Sequence, residues 1–191
     1  MSIRETKDQT TARLARRLFG QPIIQNNFRS AYVEAMIEPY LEDSGWRYSG
    51  DNWNNWDFER GSQKLEVKQS AAVQTWSFGR QTFTRPIFDI APRKGYFVES
   101  TQRWIDAPGR FAQIYVFAWH PQKPSRPLSD ANPDPVDHRE PAQWCFFVVP
   151  TSRLGAGKKT ISLVTIERKL CVVPVTIEAL CAEVDRSMPR A

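Results

Sequence analysis

Chemistry built on cysteine or histidine has little to work with here: a chain of 191 residues holds three cysteines and two histidines. Cys145, Cys171 and Cys181 are widely spaced, form no CxxC pair, and have only His120 and His138 as imidazole companions. That sets aside a structural zinc site and predicts buried, reduced thiols, with His120 a structural residue. No apolar run approaches the roughly 20 residues that span a bilayer, and the basic N-terminal stretch lacks the apolar core of a secretory signal. The expectation is a cytoplasmic protein. GxSxG, HExxH and GxGxxG are all missing. GAGKKT at 155–160 has the tail of a phosphate-binding P-loop, but Ser152 stands where the first glycine belongs and the stretch leads toward a strand. It reads as an ordinary loop.

What is present is ordinary in bulk: 41% hydrophobic and 25% charged residues, the makeup of a globular domain with a proper core. The length predicts one domain, with residues 1–27 a basic N-terminal extension and 121–141 a Pro- and Asp-rich exposed loop. A formal net charge of +5 mildly favours a polyanionic partner.

Periodicity supplies the elements. Val33, Met36, Ile37, Tyr40 and Leu41 follow helical spacing, predicting a helix from Ser30 to about Glu42 with Ser30 as N-cap and a kink or early end at Pro39. The basic segment around Leu14–Gly20 predicts a short surface helix. Trp46–Ser49 reads as a first strand. QIYVFAW (113–119) and WCFFVV (144–149) are continuous apolar runs, the mark of strands buried on both faces. Lys159–Glu167 alternates as a peripheral strand. A final helix capped by Thr176 packs Ile177, Leu180, Cys181 and Val184.

WDFERGSQKLEVKQ (56–69) carries the most information. Apolar Trp56, Phe58, Leu65 and Val67 alternate with charged Asp57, Glu59, Lys64, Glu66 and Lys68. Gly61-Ser62 suits a two-residue type II′ turn, which fixes the register. Arg60 then pairs with Gln63, Glu59 with Lys64, Phe58 with Leu65, Asp57 with Glu66 and Trp56 with Val67. Asp57 and Glu66 would face each other across the strands, a repulsive pair that a hard cation between them would relieve. Lys68 lies one position further along the same face. Glu34, beside the apolar stripe of the preceding helix, is placed to point at the same site. Downstream, Arg80, Arg85, Arg93 and Lys94 are interleaved with aromatics, a combination that can track a sugar-phosphate backbone and stack on bases.

Asp57, eight intervening residues, then Glu66-Val67-Lys68 resembles the PD-(D/E)XK motif of restriction endonuclease-like nucleases, with Trp56 in place of the proline. Helix, strand, hairpin and later buried strands follow the order of that superfamily's αβββαβ core over residues 28–150, and QNNFRSAYVEAMI, LEVKQSAA and IYVFAWHP look like stretches of its uncharacterised bacterial members. The resemblance implies an α/β fold with a central mixed sheet flanked by helices, and a Mg²⁺-dependent phosphodiesterase in which Mn²⁺ can substitute. It implies that Asp57, Glu66 and the Val67 carbonyl bind the metal, that Lys68 orients or deprotonates the attacking water, and that Glu34 completes the site. Gln69, pointing to the opposite face, would be a structural polar residue. DNA is the implied substrate, with RNA open, and endonucleolytic cleavage is favoured over exonucleolytic. A homodimer or partner subunit would supply specificity. The alternative is a nuclease-fold subunit that binds nucleic acid or joins an assembly without catalysis.

Overall fold

The computed structural model describes residues 6–50, 54–77, 83–98, 101–124 and 136–189. Helix α1 (Lys7–Phe19) opens the chain under a capping box in which Thr6 and Gln9 exchange hydrogen bonds, and it buries none of its residues. Helix α2 spans Asn26–Glu42, four residues earlier than the Ser30 start expected from the apolar stripe. It also runs through Pro39. Ile37 and Leu41, on either side of the proline, are both fully buried. Their packing outweighs the one backbone bond that Pro39 cannot make.

Strands β1 (Arg47–Tyr48), β2 (Phe58–Arg60), β3 (Gln63–Ala71), β7 (Ile114–His120) and β8 (Cys145–Pro150) form one sheet in the order β1-β2-β3-β7-β8. Only β3 and β7 are parallel; the other neighbours are antiparallel. The fold is therefore mixed α/β around a five-stranded mixed sheet. The crossover from β3 to β7 carries β4 (Ile87–Asp89) and the β5 (Tyr96–Val98) to β6 (Arg103–Ile105) ladder. Among the described residues it contains a 3₁₀ turn at Thr75–Ser77 but no α-helix, where an αβββαβ core would place one.

The two faces of the sheet are covered differently. On one, α2 and the last helix, α3 (Ile177–Ser187), bring Val33, Ile37, Leu180 and Val184 against Leu65, Val67, Val116 and Phe146. On the other, Tyr115, Phe117 and Phe147 pack against Phe88 of β4, Ile161 of β9 (Thr160–Ser162) and Ile166 of a π-helical turn at Thr165–Lys169. Helices α2 and α3 thus flank one face, and the β4–β9 ladder covers the other. Every residue of β7 is buried, as its continuous apolar run requires.

Two further expectations need correction. The strand expected over Lys159–Glu167 stops at Ser162, because the Ser162 hydroxyl accepts the Thr165 N–H and turns the chain into the π-helical segment. Cys171 is exposed, at φ +49°, while Cys145 and Cys181 are half-buried; all three are free thiols.

A candidate active site at the open edge of β3

The hairpin turn forms as its glycine dictates. Gly61 has φ +59° and Ser62 is not in the left-handed region, the pattern of a type II′ turn. Pairing then runs outward as Arg60↔Gln63, Glu59↔Lys64 and Phe58↔Leu65. There the expected register ends. The Asp57 N–H donates to the carbonyl of Leu65, the residue already paired with Phe58, so two residues of β2's end oppose one of β3. This is a β-bulge, and it re-aims the side chains before it.

The correction has two consequences. Trp56 leaves the face of Phe58: its indole N–H donates to Glu59 and Lys64 lies over its ring, while Phe58 and Val67 pack under α2. Asp57 does not stand opposite Glu66. Its carboxylate turns into the plane of the sheet, where Oδ2 accepts the Val67 N–H at 2.6 Å. Both backbone groups of Lys64 point to the β7 side, its carbonyl accepting the Gln113 N–H and its N–H donating to Gln113 Oε1, so Val67, an odd number of residues along, faces the side that β2 vacates. Its carbonyl points the same way as its N–H, toward Asp57.

Glu66 and Lys68 project from the other face, paired in register with Tyr115 and Phe117. Glu66 is 5% exposed and its Oε1 is held by the Lys68 ammonium, with an Arg93 guanidinium nitrogen 3.8 Å away. Glu34 comes from α2, where its Oε2 accepts the Tyr48 hydroxyl at 3.1 Å. Three carboxylates therefore approach the end of β2 from one face, from the sheet plane and from the other face. Glu34, Asp57, Val67 and Lys68 line one open cavity of about 490 Å³, and Glu66 stands behind Lys68, outside that lining.

Burial dominates the electrostatics. It pushes the Glu34 carboxyl up to about 7, reinforced by the Asp57 charge and opposed by the Tyr48 hydrogen bond and Lys68. Burial likewise raises Asp57, against the pull of Lys68 and the Val67 N–H. Glu66 is raised by burial first, with Lys68 drawing it down and Asp57 pushing it up. The group is short of positive charge. Each carboxylate also keeps one oxygen without a hydrogen bond among the described residues: Glu34 Oε1, Asp57 Oδ1 and Glu66 Oε2. Hard carboxylate oxygens with spare lone pairs suit Mg²⁺, which is commonly held by one or two carboxylates and keeps several waters. Among the described residues no three carboxylate, imidazole or thiol groups form a ready-made metal cluster. A pair of carboxylates completed by the Val67 carbonyl and water is the arrangement that these residues fit.

Of the basic residues expected to contact nucleic acid, Arg93 is exposed at the site beside Glu66, and Arg85 and Lys94 are exposed on the same crossover. Arg80 lies outside the described residues. Gln69 sits on the α2 face as expected, where its Oε1 accepts the Arg29 Nε–H at 2.6 Å. Two contributors were missed. Tyr48 reaches Glu34 only through the docking of β1 under α2, which no local pattern encodes. Arg29 had a signal: it lies four residues before Val33 and eight before Ile37, the core positions of α2, but a helix begun at Ser30 excludes it. No family model matches this chain, and no curated protein or solved structure matches it either.

Proposed function

We propose that this protein is a metal-dependent nuclease that hydrolyses phosphodiester bonds of DNA, built on a restriction endonuclease-like core. The observation that carries the reading is the group at the end of β2: buried, mutually repelling carboxylates with spare oxygens, beside an ammonium and an open cavity. A binding surface for a polyanion has no use for three carboxylates at its centre. The order α2-β1-β2-β3, with the acids at the end of β2 and in mid-β3, supports the same core.

Asp57 and Glu66, with the Val67 carbonyl, would hold Mg²⁺ or Mn²⁺, which supplies a lowered pKa for bound water and offsets charge on the phosphate. Lys68 at the cavity wall places fixed positive charge where negative charge develops during attack. Glu34, near 7, is poised between its protonated and ionised forms and can take or return a proton at Oε1. Tyr48 fixes the other oxygen of that carboxyl.

One observation favours a second reading, a non-catalytic nucleic-acid-binding or assembly subunit: Glu66 lies outside the cavity lining and is neutralised by Lys68. Cleavage of plasmid and single-stranded DNA and of RNA, with Mg²⁺ or Mn²⁺ against EDTA, decides between them. Cleavage that needs the cation and disappears in Asp57→Ala and Lys68→Ala supports the nuclease. Cleavage surviving both substitutions removes the site, and salt-dependent DNA binding without cleavage favours the second reading.

A further inference from the structure

We propose that the cavity beside the carboxylates is a nucleotide subsite, its wall of carboxamides taking a phosphate group and Trp76 taking the base. The inference rests on the nuclease reading for its place in a reaction, but not for binding.

Arg29 stands behind three residues of the cavity lining. Its side chain is fully buried, and it pairs with no carboxylate among the described residues. Its partners are all neutral oxygens: Gln69 Oε1 at 2.6 Å, Asn26 Oδ1 at 2.7 Å, Gln74 Oε1 at 3.0 Å and the Ile24 carbonyl at 3.5 Å. Desolvation lowers its pKa only to about 10, so it stays charged at neutral pH. A buried cation without a counter-ion is costly, and its field reaches outward through whatever polar groups surround it.

Those groups are the wall of the cavity. Asn26, Gln69 and Gln74 all line it, together with Ser30. Because a guanidinium only donates, each of the three amides presents its oxygen to Arg29. Gln74 Nε2 in turn donates to the Ala71 carbonyl at 2.9 Å and Gln69 Nε2 to Asn26 Oδ1 at 3.3 Å, which leaves the Asn26 NH₂ and the Ser30 hydroxyl as the wall's donors without a partner among the described residues, with a positive charge behind them. Asn26 is also the first residue of α2, whose first turn contains no acid to cancel its dipole. Further along the same lining stand the acids Glu34, two turns beyond Asn26 on α2, Asp57 and Asp89, with Lys68 among them. A phosphate is drawn to one end of the cavity and repelled from the other.

Trp76 lines the same cavity yet remains 59% exposed, an aromatic face left uncovered where a base could stack. The volume, about 490 Å³, falls within the range of small-ligand sites. A nucleotide seated this way places the phosphate adjoining the scissile one against the amides.

The test is titration of deoxyadenosine monophosphate into the full chain in EDTA, by calorimetry, with deoxyadenosine and inorganic phosphate as comparators. The nucleotide should bind, deoxyadenosine should bind far more weakly, and phosphate should compete. Gln69→Glu gives Arg29 a counter-ion and should weaken nucleotide binding by about tenfold or more. Ser30→Glu adds charge to the wall without touching Arg29 and should do the same, which covers the case in which Gln69→Glu fails to fold. Trp76→Ala, at the surface, should weaken the nucleotide but not phosphate. No nucleotide binding by the folded wild type, or binding unmoved by Ser30→Glu and Trp76→Ala, overturns the subsite. Asp57→Ala separates the two proposals: it should abolish cleavage yet leave nucleotide binding intact or tighter.

Discussion

His120 and His138 sit without exposed surface against Trp144, while Glu34, Asp57 and Glu66 surround an open cavity, and the two groups meet the cost of burial in different ways. The histidines give up their charge. Burial holds His120 down to about 4 and His138 to about 3, so both rings are neutral near pH 7. A hydrogen bond then fixes each tautomer: His120 Nε2 faces the Asp137 carbonyl, and His138 Nδ1 accepts the Ile24 N–H, while His120 Nδ1 and His138 Nε2 are buried without a partner among the described residues. Together with the Trp144 indole N–H on the His138 carbonyl, they tie the chain before α2 to the chain before β8. The carboxylates keep their mutual repulsion. Burial raises all three, Asp57 raises Glu34 and Glu66 further, and each holds a spare oxygen among the described residues. Neutral and closed describes a structural pin; ionisable, open to solvent and with spare oxygens describes the group proposed as the metal site.

The sharpest way to break this contrast is at Asp57. Asp57→Ala should lower DNA cleavage by more than about 100-fold, the scale of losing one electrostatic contributor to a transition state. In EDTA its melting temperature should stay level or rise, since an unfavourable buried charge disappears. A large loss of stability would instead place Asp57 with the histidines as a structural residue. His138→Ala should do the reverse. Losing the ring and the acceptor for Ile24 should cost about 2–4 kcal/mol in urea unfolding, with cleavage lost only in proportion to the unfolded fraction.

Much of this contrast was legible in the chain, and its limits are instructive. Gly61-Ser62 and the alternation around it encode the hairpin because turn geometry and burial are local properties. The bulge at Asp57 is not local. It depends on the Val67 N–H being left open where β2 ends, and a short acid in sequence resembles any other exposed strand residue. The α2 stripe encoded a buried face but not its start, because Arg29 is a charged residue at a core-facing position and Asn26, which opens the helix, is exposed. Helix-breaking Pro39 was overruled by Ile37 and Leu41, whose burial depends on a sheet assembled from strands spread over residues 47–150.

Opposite pH slopes would sharpen the comparison. Glu34 is raised from 4.5 to about 7 in the folded chain. Its contribution is therefore fully present below pH 4.5 and is lost as pH rises through 7. His120 and His138 are lowered from 6.5, so their contribution is present above pH 6.5 and is lost as pH falls toward 4 and 3. Metal-free Glu34→Gln should flatten the alkaline-side fall and exceed wild type above pH 7 by a few degrees in melting temperature, at about 2–4 °C per kcal/mol. It should leave the acid-side fall unchanged. Mg²⁺ should narrow the same gap in the wild type, because bound cation favours the ionised carboxylates. A wild-type curve that ignores Glu34→Gln would show that this carboxyl is not held near 7.

The smallest effects belong to the exposed basic residues of the crossover. Arg85 and Lys94 are exposed and make no ion pair among the described residues, so removing either should leave thermal stability within about 0.5 kcal/mol of wild type. If each meets one phosphate, each alanine variant should lower the slope of log affinity against log salt by about 1, and weaken DNA binding alike for every sequence tested. Arg93→Ala differs in one respect. Its guanidinium lies beside Glu66 and draws that carboxyl down, so its loss should leave Glu66 still harder to ionise. The pH at which cleavage reaches half its maximum should then shift upward in Arg93→Ala but not in Lys94→Ala. Equal profiles would separate Arg93 from the carboxylate group and return it to the general basic surface.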